Sequence, residues 1–592
     1  MRKDIFYFII AISGCITIIS LAGCTKNGFL DQTVTSSLNE ATTFSDSANS
    51  MAFLNNIYTS MGFSADPKRF NNGTAFVPYT YAAGLDASSD EAEGPLASSS
   101  NGFIQFATGS VNPSIIPDDA WNIPYTNIRS VNQFLKHLPG IPFAASLKVQ
   151  AKAEARFLRV WYYAIMLQHY GGVPLIGDTV YAPTDNMNLK RNSFSQCVNY
   201  ILSECDSAAA NLPNAQIGSL YGRISKGACL ALKARVLLFA ASPLFNGGGA
   251  NPGGANGIDS VVAYPNTDPN RWKLAADAAA AVISLNTYQL YIDSTSITGA
   301  LGYGFQKLFT LRYNTEYILP RMMDGNKYLE GLWDVPSRGG SGGPFPYQEL
   351  VDAFPMSNGK AITDITSGYD ATNPYQNRDP RLDYSIIHDS TLRTTFGSNL
   401  PTPVTLYWNT SVVPAIAAGG DAVYKGTPTG YYIFKMLDPA IIQNGINGSA
   451  RCLPLIRYAE ILLDYAEATN EFVGPTVDVY RAVEAIRQRA GLRPYQLTVG
   501  LSKQQMQDLI RNERRIELAY EGFRFFDVRR WMIAEQTDNL QMHGTEVDRG
   551  STVTYKLFNV RKHNFTKAMY LWPLPLKEIA KSTQLLQNPL YQ

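Results

Sequence analysis

The chain has 592 residues, with Lys+Arg 50 against Asp+Glu 49, and this balance removes the basic footprint of a nucleic-acid binder or of a polybasic membrane-surface protein. Charged residues make up 17% of the chain and aromatics 12%, led by 34 Tyr, so the expected partner is neutral and meets flat apolar faces together with phenol hydroxyls. Length by itself allows either several ordinary cores or one continuous helical array.

In chain order, Met1-Arg2-Lys3 is a short basic segment, and Ile5 to Leu21 is apolar apart from scattered Ser, Thr and Gly, the layout of a signal peptide. Leu21-Ala22-Gly23-Cys24 then resembles a bacterial lipobox, in which the Cys is lipidated and becomes the new N-terminus. The expectation is a signal peptide over 1–23 and a lipidated tether over 24–39. An uncleaved membrane span is the alternative, and Cys24 closing the apolar stretch favours the lipid anchor. The later cysteines, Cys197, Cys205, Cys229 and Cys452, form no C-x-x-C pair and have no His at ligand spacing. No metal site and no cofactor is expected, and burial of Cys197 and Cys205 on one helical face is the favoured reading.

Apolar spacing of three and four predicts helices over 148–170, 193–212, 225–241 and 271–285. The first stops at Gly171-Gly172, the second is opened by a Ser193/Gln196 capping box and ended by Pro213, and the third ends at Ser242-Pro243. Trp121, Trp161 and Trp272 have helical spacing and are expected in the core. Ala275, Ala276 and Ala279 line the buried stripe of the fourth helix and allow close helix pairs. From about 288 to 448 the helical period gives way to Gly, Pro, Asn and Tyr, and a second irregular zone covers about 64–119; lengths of this kind usually carry function. Helices return at Pro454, with stripes through Leu455 to Ala466 and Val479 to Ala490, then a Ser502/Gln505 cap opening a helix expected to run through Tyr520 to Gly522. The predicted architecture is mostly α, with tetratricopeptide-like hairpins over about 120–290 and 450–592 and large loop-rich insertions.

Glu513, Glu517 and Glu521 recur every fourth residue among Arg511, Arg514, Arg515 and Arg524. Carboxylates so spaced share one helix face and suit ion pairs with Arg, whereas glycoside cleavage needs two carboxyls facing each other across a sugar. Gly339-Gly340-Ser341-Gly342-Gly343 satisfies G-x-S-x-G only formally, because Pro344 and Pro346 follow where a nucleophile elbow needs a helix. The five His form no metal or base motif, so no catalytic residue is nominated.

A sugar presents C–H faces ringed by hydroxyls, which calls for aromatic platforms beside Asp, Asn, Gln or Arg. The first loop zone supplies Tyr79 and Tyr81 with Asp90 and Asn101; the second supplies Tyr303, Tyr313 and Trp333 with Arg338. Trp333 is the leading candidate because it stands beside polar residues and the Gly-rich loop.

The C-terminal third resembles the SusD/RagB family. The resemblance is carried by Leu453-Pro454-Leu455-Ile456-Arg457-Tyr458-Ala459-Glu460-Ile461-Leu462-Leu463-Asp464-Tyr465-Ala466-Glu467-Ala468, by Ala485-Ile486-Arg487-Gln488-Arg489-Ala490-Gly491-Leu492 and by Arg511-Asn512-Glu513-Arg514-Arg515-Ile516-Glu517-Leu518-Ala519-Tyr520-Glu521-Gly522-Phe523-Arg524-Phe525-Phe526-Asp527-Val528-Arg529-Arg530-Trp531. Further blocks follow in matching order: Phe157-Leu158-Arg159, Tyr170-Gly171-Gly172-Val173-Pro174-Leu175, Ala231 to Leu238, Gln348 to Phe354, Trp572-Pro573-Leu574-Pro575 and Gln587-Asn588-Pro589. The resemblance implies helical pairs under an irregular ligand-carrying face, one SusD-like domain over 40–592, an outer-membrane location and a SusC-like TonB-dependent transporter as partner. It also implies a non-enzymatic subunit that hands oligosaccharides to that transporter. A peptide or another nutrient is the alternative ligand, and a lipid-anchored glycoside hydrolase the alternative from another class. Related surface proteins often carry acids soon after the lipidated Cys, whereas Thr25-Lys26-Asn27-Gly28 follow here and the first acid is Asp31.

Overall fold

The structure, a computed structural model, describes residues 39–591 except 68, 70–82, 96–101, 118, 183, 255–256, 294–299, 396–399, 443–444 and 446. It is mostly helical. After α1 (Ser47–Thr59) the scaffold runs through α2 (Asp119–His137), α3 (Ala145–Tyr170), α4 (Phe194–Ala209), α5 (Lys226–Ala241) and α6 (Asn270–Ile283). Each helix from α3 to α6 packs on the one before it. The Ser193/Gln196 capping box forms as expected, and Gly171 ends α3 with φ 78°.

The stack does not stop at α6. That helix also packs on α7 (Tyr458–Val473), which in turn carries α8 (Val477–Ala490) and α9 (Lys503–Glu517). One helical array is therefore interrupted in sequence, and everything between α6 and α7 is inserted beside it. The alanine stripe explains the join: Ala275, Ala276, Ala278 and Ala279 are all buried, and small side chains let α6 lie between two neighbours.

The inserted segment is not merely loop. It has its own core, in which Phe305, Leu329, Leu332, Trp333, Leu350, Phe354, Ile386 and Tyr432 are buried together. Short helices at Tyr328–Trp333 and Gln348–Ala353 and strand pairs build it. Strands β1 (Tyr317–Arg321) and β4 (Leu453–Arg457) pair antiparallel at the junction with the scaffold. Two short strands between them, β2 (Trp408–Asn409) and β3 (Ile416–Ala417), join a long C-terminal hairpin, β5 (Gln541–Arg549) and β6 (Val553–Lys562), in a sheet ordered β6-β5-β2-β3.

Three expectations need correction. The C-terminal scaffold region is not helical throughout, because residues 541–549 and 553–562 pair antiparallel as this hairpin, the first strand partly buried and the second on the surface. The helix opened by Ser502 ends at Glu517, and Tyr520 takes φ 60°. Trp333 is 2% exposed, because Leu329, Leu332 and Trp333 lie at three-and-four spacing and form the inner stripe of a six-residue helix. Trp121 and Trp161 are core residues as expected, and Trp272 packs against that core partly buried. The four described cysteines are buried and free.

Scaffold and insert are joined by buried ion pairs. Arg457 binds Glu316 at 2.8 Å and Glu517 at 2.7 Å, and its other nitrogen reaches Glu521 at 2.6 Å. Arg381 from the insert reaches Glu513 at 2.6 Å and Glu517 at 2.9 Å, while Lys435 donates to Glu521 at 2.8 Å. The Glu513/Glu517/Glu521 series is thus the receiving face for cations of both halves. Burial alone would push the Glu521 carboxyl up, but Arg457 and Lys435 hold it below the usual range.

Candidate ligand-binding cleft

A cleft of about 450 Å3 lies where the two loop zones meet the C-terminal hairpin. The first zone contributes Glu93 and Pro95, the second Ser341, Phe345 and the turn Tyr424–Pro428, and β6 contributes Phe558 to Arg561. Neighbouring strands position the first two walls, since Ala92 and Glu93 pair with Pro346 and Phe345. The Gly-rich loop passes under this pair. At Gly342, φ is 71°, and a Cβ would come within 2.8 Å of the Phe345 ring and 2.9 Å of the Tyr432 ring, so the close approach requires glycine.

The aromatic shelf is Tyr424 against Phe558, with centroids 5.3 Å apart and planes at 53°. Tyr424 is 63% exposed and has φ 63°, a left-handed conformation that a bulky residue adopts only when its surroundings enforce it. The enforcing turn is visible. The Tyr424 amide donates to the Thr427 carbonyl at 3.0 Å, and the amides of Lys425 and Gly426 both donate to the Ala422 carbonyl, at 3.0 and 2.9 Å.

In the same lining, Arg561 grips the buried Glu93 carboxylate through Nε at 2.7 Å and Nη2 at 2.9 Å. The Tyr347 hydroxyl and the Gly94 amide donate to the same carboxylate at 2.8 and 3.0 Å. Glu93 is therefore saturated within the protein and fixes Arg561, whose second terminal nitrogen makes no bond to Glu93. These hydrogen bonds to Glu93 raise the Arg561 pKa further, so its charge is permanent. Exposed Lys425 and Asn559 and the Ser341 hydroxyl complete a rim of polar groups. Flat apolar faces beside fixed N–H donors can hold a sugar ring by stacking and by hydrogen bonds to its hydroxyls.

The residues expected from sequence are dispersed. Tyr79, Tyr81 and Asn101, and the lipidation residue Cys24, lie outside the described residues. Asp90 is buried against Arg524 and Arg515. Arg338 is buried too, donating to the Ser337 hydroxyl at 2.7 Å and the Thr402 hydroxyl at 2.9 Å, and it does not line the cleft. Tyr303 is half-buried with its ring 6.4 Å from Tyr384, and exposed Tyr313 stands edge-on to Tyr221 at 4.7 Å. Neither lines the cleft. Tyr424, Phe558 and Arg561 were missed. The alternation of β6 around the Gly550-Ser551 turn is the signal that marks the hairpin, while nothing local marks Tyr424.

Among the described residues no group of three His, Cys, Asp or Glu can hold a metal ion, and no helix is long and apolar enough to cross a membrane.

Comparison with known proteins agrees with this architecture. The model described as the SusD family matches residues 310–591, and the one described as starch-binding associating with outer membrane matches residues 28–238. SusD-like protein P38 of Formosa agariphila is 23% identical over 81% of this chain and 82% of its own. SusD-like protein P2 of the same organism is 30% identical over 25% of this chain, a match that spans 27% of that relative's length. A SusD-like protein of Bacteroides fragilis has a solved structure with TM-score 0.72 and 26% identity, covering 93% of this chain and 98% of that one. A SusD-like carbohydrate-binding protein from the same species aligns with TM-score 0.69 and 22% identity, over 92% and 100% of the two chains. The two family models meet the two halves of the interrupted scaffold in order, and the chain belongs to the SusD/RagB family.

Proposed function

We infer that this protein is a glycan-binding subunit of the outer membrane, held by a lipid on Cys24, which captures an oligosaccharide at the Tyr424/Phe558 cleft and passes it to a SusC-like TonB-dependent transporter. The observation that carries the reading is the cleft itself: a strained, exposed tyrosine paired with a phenylalanine, in one lining with an arginine fixed by a saturated carboxylate. The SusD-like carbohydrate-binding relative and the starch-binding family description support a sugar as the ligand class. The buried pairing of Glu513, Glu517 and Glu521 with Arg and Lys supports a subunit without hydrolytic chemistry.

Affinity electrophoresis of the purified protein through gels containing different neutral polysaccharides tests the reading. Retardation in at least one gel, without release of reducing ends, is the expected result; indifference to every polysaccharide together with binding of a peptide overturns it. A peptide is the second reading because Lys425 and Arg561 line the same cleft and suit a carboxylate. The transporter partnership is tested by co-purification of the protein with a SusC-like transporter.

A further inference from the structure

Away from this cleft, α2 and α3 border a groove of about 650 Å3 whose walls carry Lys136, Lys148, Lys152 and Arg156. Its two carboxylates are already engaged: Glu204 takes Arg156 and Arg159, and Asp178 takes Arg159. Lys148 donates to the Pro139 carbonyl at 2.7 Å. Among the described residues Lys136 and Lys152 have no ion-pair partner, and both are exposed. Val149, next to Lys148 on α3, lines the same groove and is itself 50% exposed. The groove is thus a cationic surface with an apolar floor, in which basic side chains outnumber the two carboxylates of its lining.

Two neighbouring features indicate what it faces. A turn at Gly177–Thr179, held by Asn132 through bonds of 2.9 and 2.8 Å, separates the groove from a second cleft of about 350 Å3 whose outer wall carries half-buried Tyr181 and exposed Met187. A phenol ring with one apolar and one polar end, beside an exposed apolar side chain, suits the boundary between headgroups and hydrocarbon. Asn39, the first described residue, caps a short helix whose Glu40 binds His137 at 2.5 Å, and His137 is next to Lys136 on α2. The chain therefore enters the fold beside the groove. Residues 25–38 between Cys24 and this entry reach at most about 50 Å when extended.

We propose that this face of α2 and α3 rests on the membrane that holds the chain's own lipid, with phosphate-bearing headgroups seated between Lys136 and Lys152. The inference rests on the lipid-anchored reading above and adds a second, electrostatic contact to it. Each lysine near an anionic surface contributes roughly fivefold in binding, screened by salt.

The test uses the chain from residue 25 onward, which lacks the apolar leader and keeps every residue of the three cores. Its sedimentation is measured with phosphatidylcholine vesicles and with phosphatidylcholine vesicles containing phosphatidylglycerol. Binding to the anionic vesicles alone, weakened by salt and reduced at least tenfold by Lys136→Gln with Lys152→Gln, supports the proposal. Equal binding to both vesicles, an unaffected double variant, or saturable binding of inorganic phosphate without vesicle binding overturns it. Both lysines are exposed, so the double variant should melt like the parent and be retarded equally in polysaccharide gels. A protein that is retarded but ignores vesicles removes this inference alone, and lipid labelling at Cys24 tests the anchor separately.

Discussion

The carboxylate of Asp90 sits in the fork of Arg524, accepting from Nε at 2.7 Å and from Nη2 at 2.6 Å. The two residues are far apart in sequence, and both are buried. Burial by itself would raise the Asp90 carboxyl, but Arg515 and Arg524 hold it well below the usual carboxylate range. This pair ties the first loop zone to the segment after α9, and Glu93 three residues on forms the wall of the cleft. Asp90→Ala strands a buried guanidinium and is expected to lower stability by about 3–5 kcal/mol. Urea unfolding of the variant measures it, and a loss below about 1 kcal/mol is incompatible with a pair that matters to the fold.

Next to it, Glu91 is 1% exposed and neither carboxylate oxygen has a partner. Burial, with Asp86 adding repulsion, pushes its carboxyl up to about 8. The folded protein then holds a proton that the unfolded chain releases above about pH 4.3. Glu91 accordingly stabilises fully at low pH, less as pH rises from there, and not at all once pH passes about 8. Glu91→Gln cannot ionise, so its melting temperature is expected to exceed the parent's near pH 8 and to lose that advantage near pH 5. Asp86, pushed up to about 7 by burial, is present in both and leaves a common slope. Parallel melting curves across that range would remove Glu91 as the source of the difference.

Trp333→Ala separates packing from binding. The ring is in the core of the insert, 2% exposed, and truncating a buried Trp costs about 3–5 kcal/mol. The expected outcome is a large drop in thermal stability, while any protein that remains folded still migrates slowly in a polysaccharide gel. A stable variant that has lost retention would return Trp333 to the ligand face.

These cases show which parts of the molecule were legible in sequence. Periodicity and caps located α3 through α9, because amphipathic stripes and the Ser193 and Ser502 boxes are local signals. The Glu513/Glu517/Glu521 spacing correctly indicated ion pairs. It could not reveal that the cations come from residues as distant as Arg381 and Lys435. Trp333 was misread for a similar reason: in a short helix the inner stripe comprises only Leu329, Leu332 and the ring itself, too few for periodicity to register against a Gly-rich flank. The cleft was hidden because its walls come from three separate segments, near residues 93, 341–345 and 424–428, closed by a C-terminal hairpin.

Tyr424 gives the sharpest test of the cleft, because its backbone and its ring make opposite contributions. A tyrosine at φ 63° carries roughly 1–2 kcal/mol of strain that glycine at the same position does not. Its ring is 63% exposed and packs against the Phe558 ring, so removing it forfeits only about 0.5–1.5 kcal/mol of aromatic contact. Tyr424→Gly is therefore expected to melt at the parent's temperature or slightly above it, while losing about tenfold in polysaccharide affinity, the size of one stacked ring. Phe558→Ala should weaken binding in the same direction without the gain in stability. Isothermal titration with the retained polysaccharide's oligomers, run beside thermal melts, reads both quantities. If Tyr424→Gly binds like the parent, the strained tyrosine is not a platform and the ligand lies elsewhere on the loop-rich half.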